Sequence, residues 1–382
     1  MIRIVLIAVS MLTLFPSMNS QKVYPGWKEL KPGNHQVGFK TIDYWDHSRS
    51  IITQKVSQFL PIQISIWYPS NEAWNAQKAL PFKHYFLKTL QKNDFEELKE
   101  EEKATAMEIF YNYAKFGAGI DLSQSEMESI SSSPTAAMHN AVGAENRFPV
   151  VIAGHDGGSW KMSTLCEYLA SHGYFVISTG PLSSYNQLYR NSPQQAINRR
   201  IRTIEIVKGM LSEFQMADPE RIGLLGLNGD GIPTLLYQMK NQVADAMVSL
   251  DGWEGKNNGF EQLKNSVYYD VKNIDIPRLE FHQHEKPENE ALHINTSLFD
   301  SLSQANRFYF ILKDFGHAYL TGNLLILDQL DEPFNHQHYF LFETVKNFYE
   351  AYLKDDTEAG DALWTKRKGT KDFFHVDIRI RE

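Results

Sequence analysis

Short apolar segments alternate with helical patterns along most of the chain. In the segment 61–68, Ile62, Ile64 and Ile66 recur at every second position, which predicts a strand with one buried face. The segment 148–153 is continuously apolar, as expected of a strand that is buried on both faces. Further strands are predicted at 37–44, 174–178, 222–225, 244–250, 278–282 and 308–312, and helices at 161–172, 192–214, 232–240 and 337–353. This alternation predicts an α/β fold in which helices cover both faces of a mostly parallel sheet.

Two segments depart from the alternation. Residues 83–145 are predicted to form a mostly helical insertion, with one helix over 95–115 and another short helix beginning at Pro134. The C-terminal tail, 370–382, alternates apolar and polar residues. That pattern fits an edge strand of the sheet or a segment that pairs with another chain, and it does not choose between them.

The first 20 residues are predicted to be a signal peptide. An apolar run at 4–15 follows the basic residue Arg3 and is too short to span a bilayer as a mature helix. Cleavage before Gln21 would leave 21–382 as a single domain, secreted or periplasmic. An uncleaved N-terminal anchor is the alternative, and no later segment has the apolar length of a transmembrane span.

Composition narrows the function classes. A chain of 382 residues with 42% hydrophobic and 13% aromatic residues can build a large core, so it is not disordered. The formal net charge of -8 argues against a dedicated nucleic-acid binder. With one cysteine, there is neither an intramolecular disulfide nor a cysteine-based zinc site. We predict no metal and no cofactor, and the oligomeric state stays open.

Glycines and polar residues follow four of the predicted strands. They read GHDGG at 154–158, GLNGDG at 226–231, SLDGW at 249–253 and FGH at 315–317. Ligands of open parallel sheets bind beyond the carboxyl ends of the strands, so these segments are the candidates for chemistry. An acid after one strand and a histidine after the last, in this chain order, is the arrangement of α/β-hydrolases.

The chain resembles the secreted α/β-hydrolases of the platelet-activating-factor acetylhydrolase and dienelactone-hydrolase-like group. The resemblance is carried by WYP at 67–69, FPVVIAGHDGG at 148–158, DPERIGLLG at 218–226 and VSLDGW at 248–253. It implies an α/β-hydrolase fold and an ancestry among carboxylic-ester hydrolases of acetylhydrolase or lipase-like type. It also implies a small-molecule ester or lipid-like ligand.

The resemblance also implies residue roles. Asp251 corresponds to the acid of the triad and His317 to its base, while backbone N–H groups of Asp156 and Gly229 correspond to the oxyanion hole. Asn228 stands where the family has its nucleophilic serine. An amide has no proton that a histidine can remove near neutral pH, so activation of a nucleophile fails at this position. We therefore predict a pseudo-hydrolase.

Other residues around this centre are candidates for lining a pocket. They are His155, expected to shape the oxyanion loop, together with Asp230 and Trp253. Asp230 and Asp156 each replace a family glycine, and a carboxylate near a developing oxyanion would oppose its formation.

Two alternatives to the pseudo-hydrolase stay open at this stage. The protein could be an active hydrolase with a non-standard nucleophile, either Asp230, a nearby serine or a deamidated Asn228, working with Asp251 and His317. It could also bind a cation or polar ligand through Asp156, Asn228, Asp230 and Asp251.

Overall fold

The chain forms one mixed β-sheet in a computed structural model that describes residues 24, 26–53, 56–91, 95–155, 158–180, 192–284, 289–327, 332–365 and 373–381. The strands of these residues are β1 Gln36–Thr53, β2 Val56–Ser70, β3 Ala79–Pro81, β4 Pro134–His139, β5 Phe148–His155, β6 Phe175–Gly180, β7 Ala217–Leu227, β8 Ala246–Leu250, β9 Arg278–His282, β10 Arg307–Leu312 and β11 Phe373–Arg379. Their spatial order is β11-β10-β9-β8-β7-β5-β6-β2-β1-β4-β3. The six strands from β10 to β6 run parallel, and β2 and β11 flank them in antiparallel pairings.

Helices cover both faces of this sheet, as predicted. They are α1 Lys83–Leu90, α2 Glu100–Ala118, α3 Gln124–Ser132, α4 Ser163–Ser171, α5 Pro193–Met210, α6 Gly231–Asn241, α7 Asn257–Lys264, α8 Ser297–Ser301, α9 Glu332–Leu353 and α10 Thr357–Thr365. Side chains of β5 alternate between the two layers: Val151 and Ala153 join the core beneath α1, α2, α4 and α9. Val150 and Ile152 join the core beneath α5 and α6. The two-sided burial explains the continuous apolar run of this strand.

The segment predicted as a helical insertion contains a strand that belongs to the sheet. The prediction of a short helix beginning at Pro134 is wrong, because β4 begins there and pairs in parallel with β1. Ala136, Ala137 and Met138 are buried in this strand. Proline is tolerated here because it occupies the first position of the strand, where a missing N–H costs little. The helical part of the insertion therefore ends at α3.

The long helix of the insertion begins later than predicted. α2 begins at Glu100, where a capping box joins Lys99 and Glu102, and it ends before Gly119, whose φ is 71°. The expected N-terminal turn at 95–99 is not helical. The capping box and the three acidic residues of the first turn favour the later start.

The C-terminal tail forms an edge strand. β11 pairs antiparallel with β10, and Ile378 is buried against it. Of the two interpretations that the sequence left open, the structure adopts pairing within the chain.

The predicted signal peptide, 1–20, lies outside the described residues. Among the helices of the described ranges, none combines the length and the apolar character that crossing a membrane requires.

Candidate functional site

The candidate site lies at the carboxyl edge of the central strands. In the sheet register, His155 of β5 pairs with Leu227 of β7, and Leu227 pairs with Leu250 of β8. Asn228 follows β7 directly and Asp251 follows β8 directly. Because these two strands are adjacent and parallel, both residues lie at the carboxyl edge of the sheet. This edge is where open parallel sheets bind ligands.

Asn228 occupies a sharp turn between a strand and a helix. Its φ is 52°, in the left-handed region that asparagine tolerates better than most residues, and its side chain is half-buried. A short 3₁₀ turn, Asn228–Asp230, connects β7 directly to α6. The approach is close: a Cβ added at Gly226 would lie 3.0 Å from the Cα of Gly231. A strained turn of this kind presents its residue at the top of the sheet, as the nucleophile elbow of α/β-hydrolases does.

Asp251 and His317 form a direct hydrogen-bonded pair. The Nδ1 atom of His317 lies 2.6 Å from Oδ2 of Asp251. Asp251 is only 3% exposed, whereas the side chain of His317 is 31% exposed. The pairing through Nδ1 leaves Nε2 of His317 as the nitrogen that can face a ligand. This is the arrangement by which an acid orients a general base.

The second oxygen of Asp251 is bound by a buried lysine. Lys256 Nζ lies 2.6 Å from Oδ1 of Asp251, and the backbone N–H of Gln283 donates to the same oxygen at 3.3 Å. Lys256 is itself only 3% exposed. Burial alone would raise the pKa of Asp251, but the neighbouring His282 ring, the hydrogen bond with His317 and the charge of Lys256 outweigh it and hold the pKa well below its usual range.

Beneath the acid lies a second group of buried charges. Arg278 donates to Glu280 and to Glu254, at 2.7 Å each, and Ser249 donates to Glu254 at 2.6 Å. His282 Nε2 lies 3.1 Å from Oε2 of Glu280.

The position of His282 between two carboxylates explains the direction of its pKa shift. Its Nδ1 lies 3.8 Å from Oδ1 of Asp251, so the ring stands between two carboxylates. Burial would lower the pKa of His282, but the interactions with Asp251 and Glu280 outweigh burial and raise it. Burial likewise opposes ionisation of Glu280, yet the charge of Arg278 and the contact with His282 lower its pKa to about 2. The His282 ring therefore belongs to a buried cluster of acidic and basic side chains that includes the acid of the site.

Asp230 does not line an open pocket, contrary to the prediction. It is the last residue of the 3₁₀ turn, and only 1% of it is exposed. Arg200 of α5 donates to both of its oxygens, at 3.0 and 2.6 Å, and also to the carbonyl of Thr179 at the end of β6. A Cβ added at Gly154 would lie 3.1 Å from Oδ2 of Asp230. Because this carboxylate is buried and neutralised by arginine, it is neither a cation ligand nor an accessible nucleophile.

The remaining predicted residues are placed as follows. Gly229 is half-buried in the 3₁₀ turn. Trp253 is half-buried, packs against the core beneath α6 and leaves its indole N–H unpaired within the described structure. Only the backbone of His155 is described, in β5, and Asp156 lies outside the described residues.

The basic partners of the site were not predicted from the sequence. Lys256 follows Asp251 by five residues, and the 3₁₀ turn Trp253–Gly255 folds the chain so that the ammonium group meets the carboxylate. Arg200 is distant in sequence from Asp230. The one available signal was chemical: a carboxylate in place of a family glycine at an expected buried turn requires a basic partner.

No group of acidic, histidine or cysteine side chains suited to a metal occurs among the described residues. Two cavities bounded by described residues share no lining residue with the candidate site. One, of about 580 Å³, is at the opposite edge of the sheet near Phe148 and Lys354. The other, of about 560 Å³, lies on the β1–β2 hairpin between Trp45 and Phe59.

Comparisons with known proteins support the fold but not a family. No protein-family model matches the chain, and no curated protein matches it. Among solved structures, 454 chains match, including a ferulic acid esterase from Streptomyces cinnamoneus. That structure has a TM-score of 0.58 and 18% sequence identity, and the match covers 85% of this chain and 92% of the esterase. Because one fold hosts many activities, this likeness concerns architecture alone. The parallel central sheet, its two helical layers and this structural likeness together show that the chain has the α/β-hydrolase fold.

Proposed function

We propose that this protein is a pseudo-hydrolase: a descendant of carboxylic-ester hydrolases, of the acetylhydrolase or lipase-like type, that no longer cleaves esters. One observation carries the proposal. Asn228, with a φ of 52°, occupies the turn where such enzymes hold their nucleophile, while His317 and Asp251 remain paired at 2.6 Å. The base and its orienting acid are present, but the group that they would activate is absent.

The chemistry of an amide explains the loss. A serine hydroxyl attacks because a histidine takes its proton as the new bond to carbon forms. The Asn228 side chain offers the base no such proton near neutral pH, and its nitrogen lone pair is delocalised into the carbonyl. Binding and a retained oxyanion site can leave a residual rate of about 10³-fold over water, far below that of an intact triad.

Two polar side chains of the described residues near the turn do not offer a replacement nucleophile. Asp230 is enclosed by Arg200, and the hydroxyl of Ser249 is buried and donates to Glu254. Deamidation of Asn228, followed by Gly229, would create an aspartate at the turn. An active hydrolase of this kind would need that chemical change before it could act, so we propose the pseudo-hydrolase in preference to it.

The ligand class follows from the same ancestry. One of the solved structures that resemble this chain is named as an esterase, which supports a small-molecule ester or lipid-like ligand at the carboxyl edge of the sheet. Secretion or a periplasmic location rests on the apolar N-terminal segment 4–15 alone.

Covalent labelling tests whether any nucleophile remains. The purified protein is incubated with an alkyl fluorophosphonate, which captures activated serine, and every modified peptide is then located by mass spectrometry. We expect no adduct that depends on His317, and an unmodified amide at Asn228. The matched control is His317→Ala.

Two results would overturn the proposal. An adduct on a serine or threonine that vanishes in His317→Ala would reveal a replacement nucleophile. A mass gain of about one dalton, mapped to position 228 in freshly purified protein together with ester turnover, would reveal an aspartate nucleophile.

A further inference from the structure

Asp251 is shared between a base and a fixed cation. One of its oxygens meets the imidazole of His317, and the other meets the ammonium of Lys256, each at 2.6 Å. Lys256 and Asp251 are both buried, so water does not screen their attraction as it would at the surface. The lysine is therefore a permanent partner of the acid.

The surrounding charges reinforce this neutralisation. Three buried acidic side chains (Asp251, Glu254 and Glu280) face the basic side chains of Lys256 and Arg278. The imidazole of His282, stacked on Tyr309 at 4.8 Å, lies between Glu280 and Asp251, and these two neighbours raise its pKa. Asp251 thus has basic neighbours other than His317.

A carboxylate that is already paired with a cation is a weaker partner for a base. In a working triad the carboxylate stabilises the imidazolium that forms when histidine accepts the proton of the nucleophile. A lysine on the same carboxylate offsets that stabilisation, since like charges disfavour each other. Lys256 thus competes with His317 for the charge of Asp251, although the hydrogen bond and the ring orientation are retained.

We propose that Lys256 is a positioning residue that withholds the charge of Asp251 from His317, so that the base of this site is weakened in addition to the loss of the nucleophile. This inference rests on the proposed function and deepens it. It predicts that restoring the serine alone leaves the site impaired.

The experiment compares esterase activity in a serine background. Asn228→Ser, Asn228→Ser with Lys256→Met, and Asn228→Ser with Lys256→Arg are assayed on a short-chain aryl ester between pH 5 and 9. Replacing Lys256 by methionine is expected to raise kcat/KM at least tenfold over Asn228→Ser alone. The acid limb of the pH profile should move to higher pH, because a more basic His317 loses its proton later. Arginine, which keeps the charge, should return the rate to that of Asn228→Ser.

A matched control separates this effect from general loss of an ion pair. Lys240 pairs with Glu205 at 2.7 Å on the surface of α5 and α6. Lys240→Met in the serine background should leave kcat/KM unchanged within twofold. Urea unfolding of each variant establishes that it is folded under the assay conditions.

Failure of this inference is distinguishable from failure of the proposed function. Equal rates, or equal silence, of folded Asn228→Ser with and without Lys256→Met would overturn the role of Lys256 and leave the pseudo-hydrolase intact. A wild-type rate that depends on His317 would instead overturn the proposed function. An NMR titration of the His317 ring in wild type and in Lys256→Met measures the coupling between Lys256 and His317 without requiring catalytic activity. The midpoint should move to higher pH in the variant, and an unchanged midpoint would contradict the inference.

Discussion

At the scale of single residues, two buried carboxylates show opposite solutions to the cost of desolvation. Asp230 is neutralised by Arg200, whose guanidinium binds both of its oxygens. Glu167 of α4 instead accepts hydrogen bonds from the neutral side chains of Tyr85 and Trp27. Burial raises the pKa of Glu167 to about 7, although these hydrogen bonds oppose the shift. Asp230 is therefore neutralised by an ion pair, whereas Glu167 is neutralised by taking up a proton near neutral pH.

Removing Arg200 should therefore destabilise the fold strongly. Arg200→Met leaves Asp230 buried without its cation, and we expect a loss of about 3–5 kcal/mol in the free energy of unfolding. Adding Asp230→Asn to that variant should recover part of the loss, because the stranded charge is gone. Urea unfolding of the two single variants and the double variant measures the coupling. Additive effects would contradict the pairing.

Glu167 should make stability depend on pH near neutrality. Its pKa is higher in the folded than in the unfolded chain, so its contribution is complete below about pH 4.5 and is lost as the pH rises toward 7. Relative to Glu167→Gln, wild type should lose on the order of 3 kcal/mol between pH 4.5 and 8. Unfolding of both proteins at these two pH values tests this, and a constant difference would be the opposing result.

At the scale of elements, the edge strand β11 covers the last parallel strand. Ile378 is buried, and Arg379 on the same strand pairs with Asp300 of α8 at 2.7 Å. Without β11, the edge of β10 would present unpaired backbone groups next to apolar surface, which favours association between chains.

Truncation after residue 365 should reveal this protection. We expect a lower melting temperature and a shift from the starting oligomeric state toward larger species as the protein concentration rises. Light scattering at several concentrations provides the measurement, with Ile380→Ser as the control because Ile380 is exposed. A truncated protein that keeps both its stability and its size would contradict the covering role.

Periodicity explains how much of these elements the sequence could predict. The central strands and the apolar face of α5 follow period-two and helical patterns that depend on burial alone, so they were predicted from the chain. β4 was not, since a short strand beginning with Pro134 has the composition of a turn or helix start, and its sheet partner β1 lies about 100 residues away in the chain. Asn228, Asp251 and His317 were predicted as site residues from their order along the chain and from the family resemblance. Lys256 and Arg200 were not predicted, because the choice of an ion-pair partner in three dimensions leaves no local pattern in the sequence.

At the scale of the whole molecule, buried titrating groups should set the pH of maximal stability. Glu167 and His282 both have raised pKa values, so the stability that each contributes declines as the pH rises, above about 4.5 for the first and above about 6.5 for the second. Asp251 and Glu280 have lowered pKa values, so their contribution is lost as the pH falls below about 4.

Burial lowers the pKa of His84, His172 and His338 to about 4, so the stability that they contribute is lost as the pH falls below about 6.5. Together with the opposing trend of Glu167 and His282, this predicts a maximum of the melting temperature at about pH 6–7. A scan from pH 3 to 9 by differential scanning calorimetry tests the prediction. A maximum above pH 8 would contradict it, and His282→Gln should flatten the decline on the alkaline side.

We propose that the whole molecule combines the α/β-hydrolase fold with a site that lacks its nucleophile, and this is the central claim. The most direct test is the rate at which wild type and His317→Ala hydrolyse a short-chain aryl ester at pH 7.5. We predict that the two rates agree within about twofold, because the base has no nucleophile to activate. A wild-type rate a hundredfold above that of His317→Ala would contradict the claim and show that this site still cleaves esters.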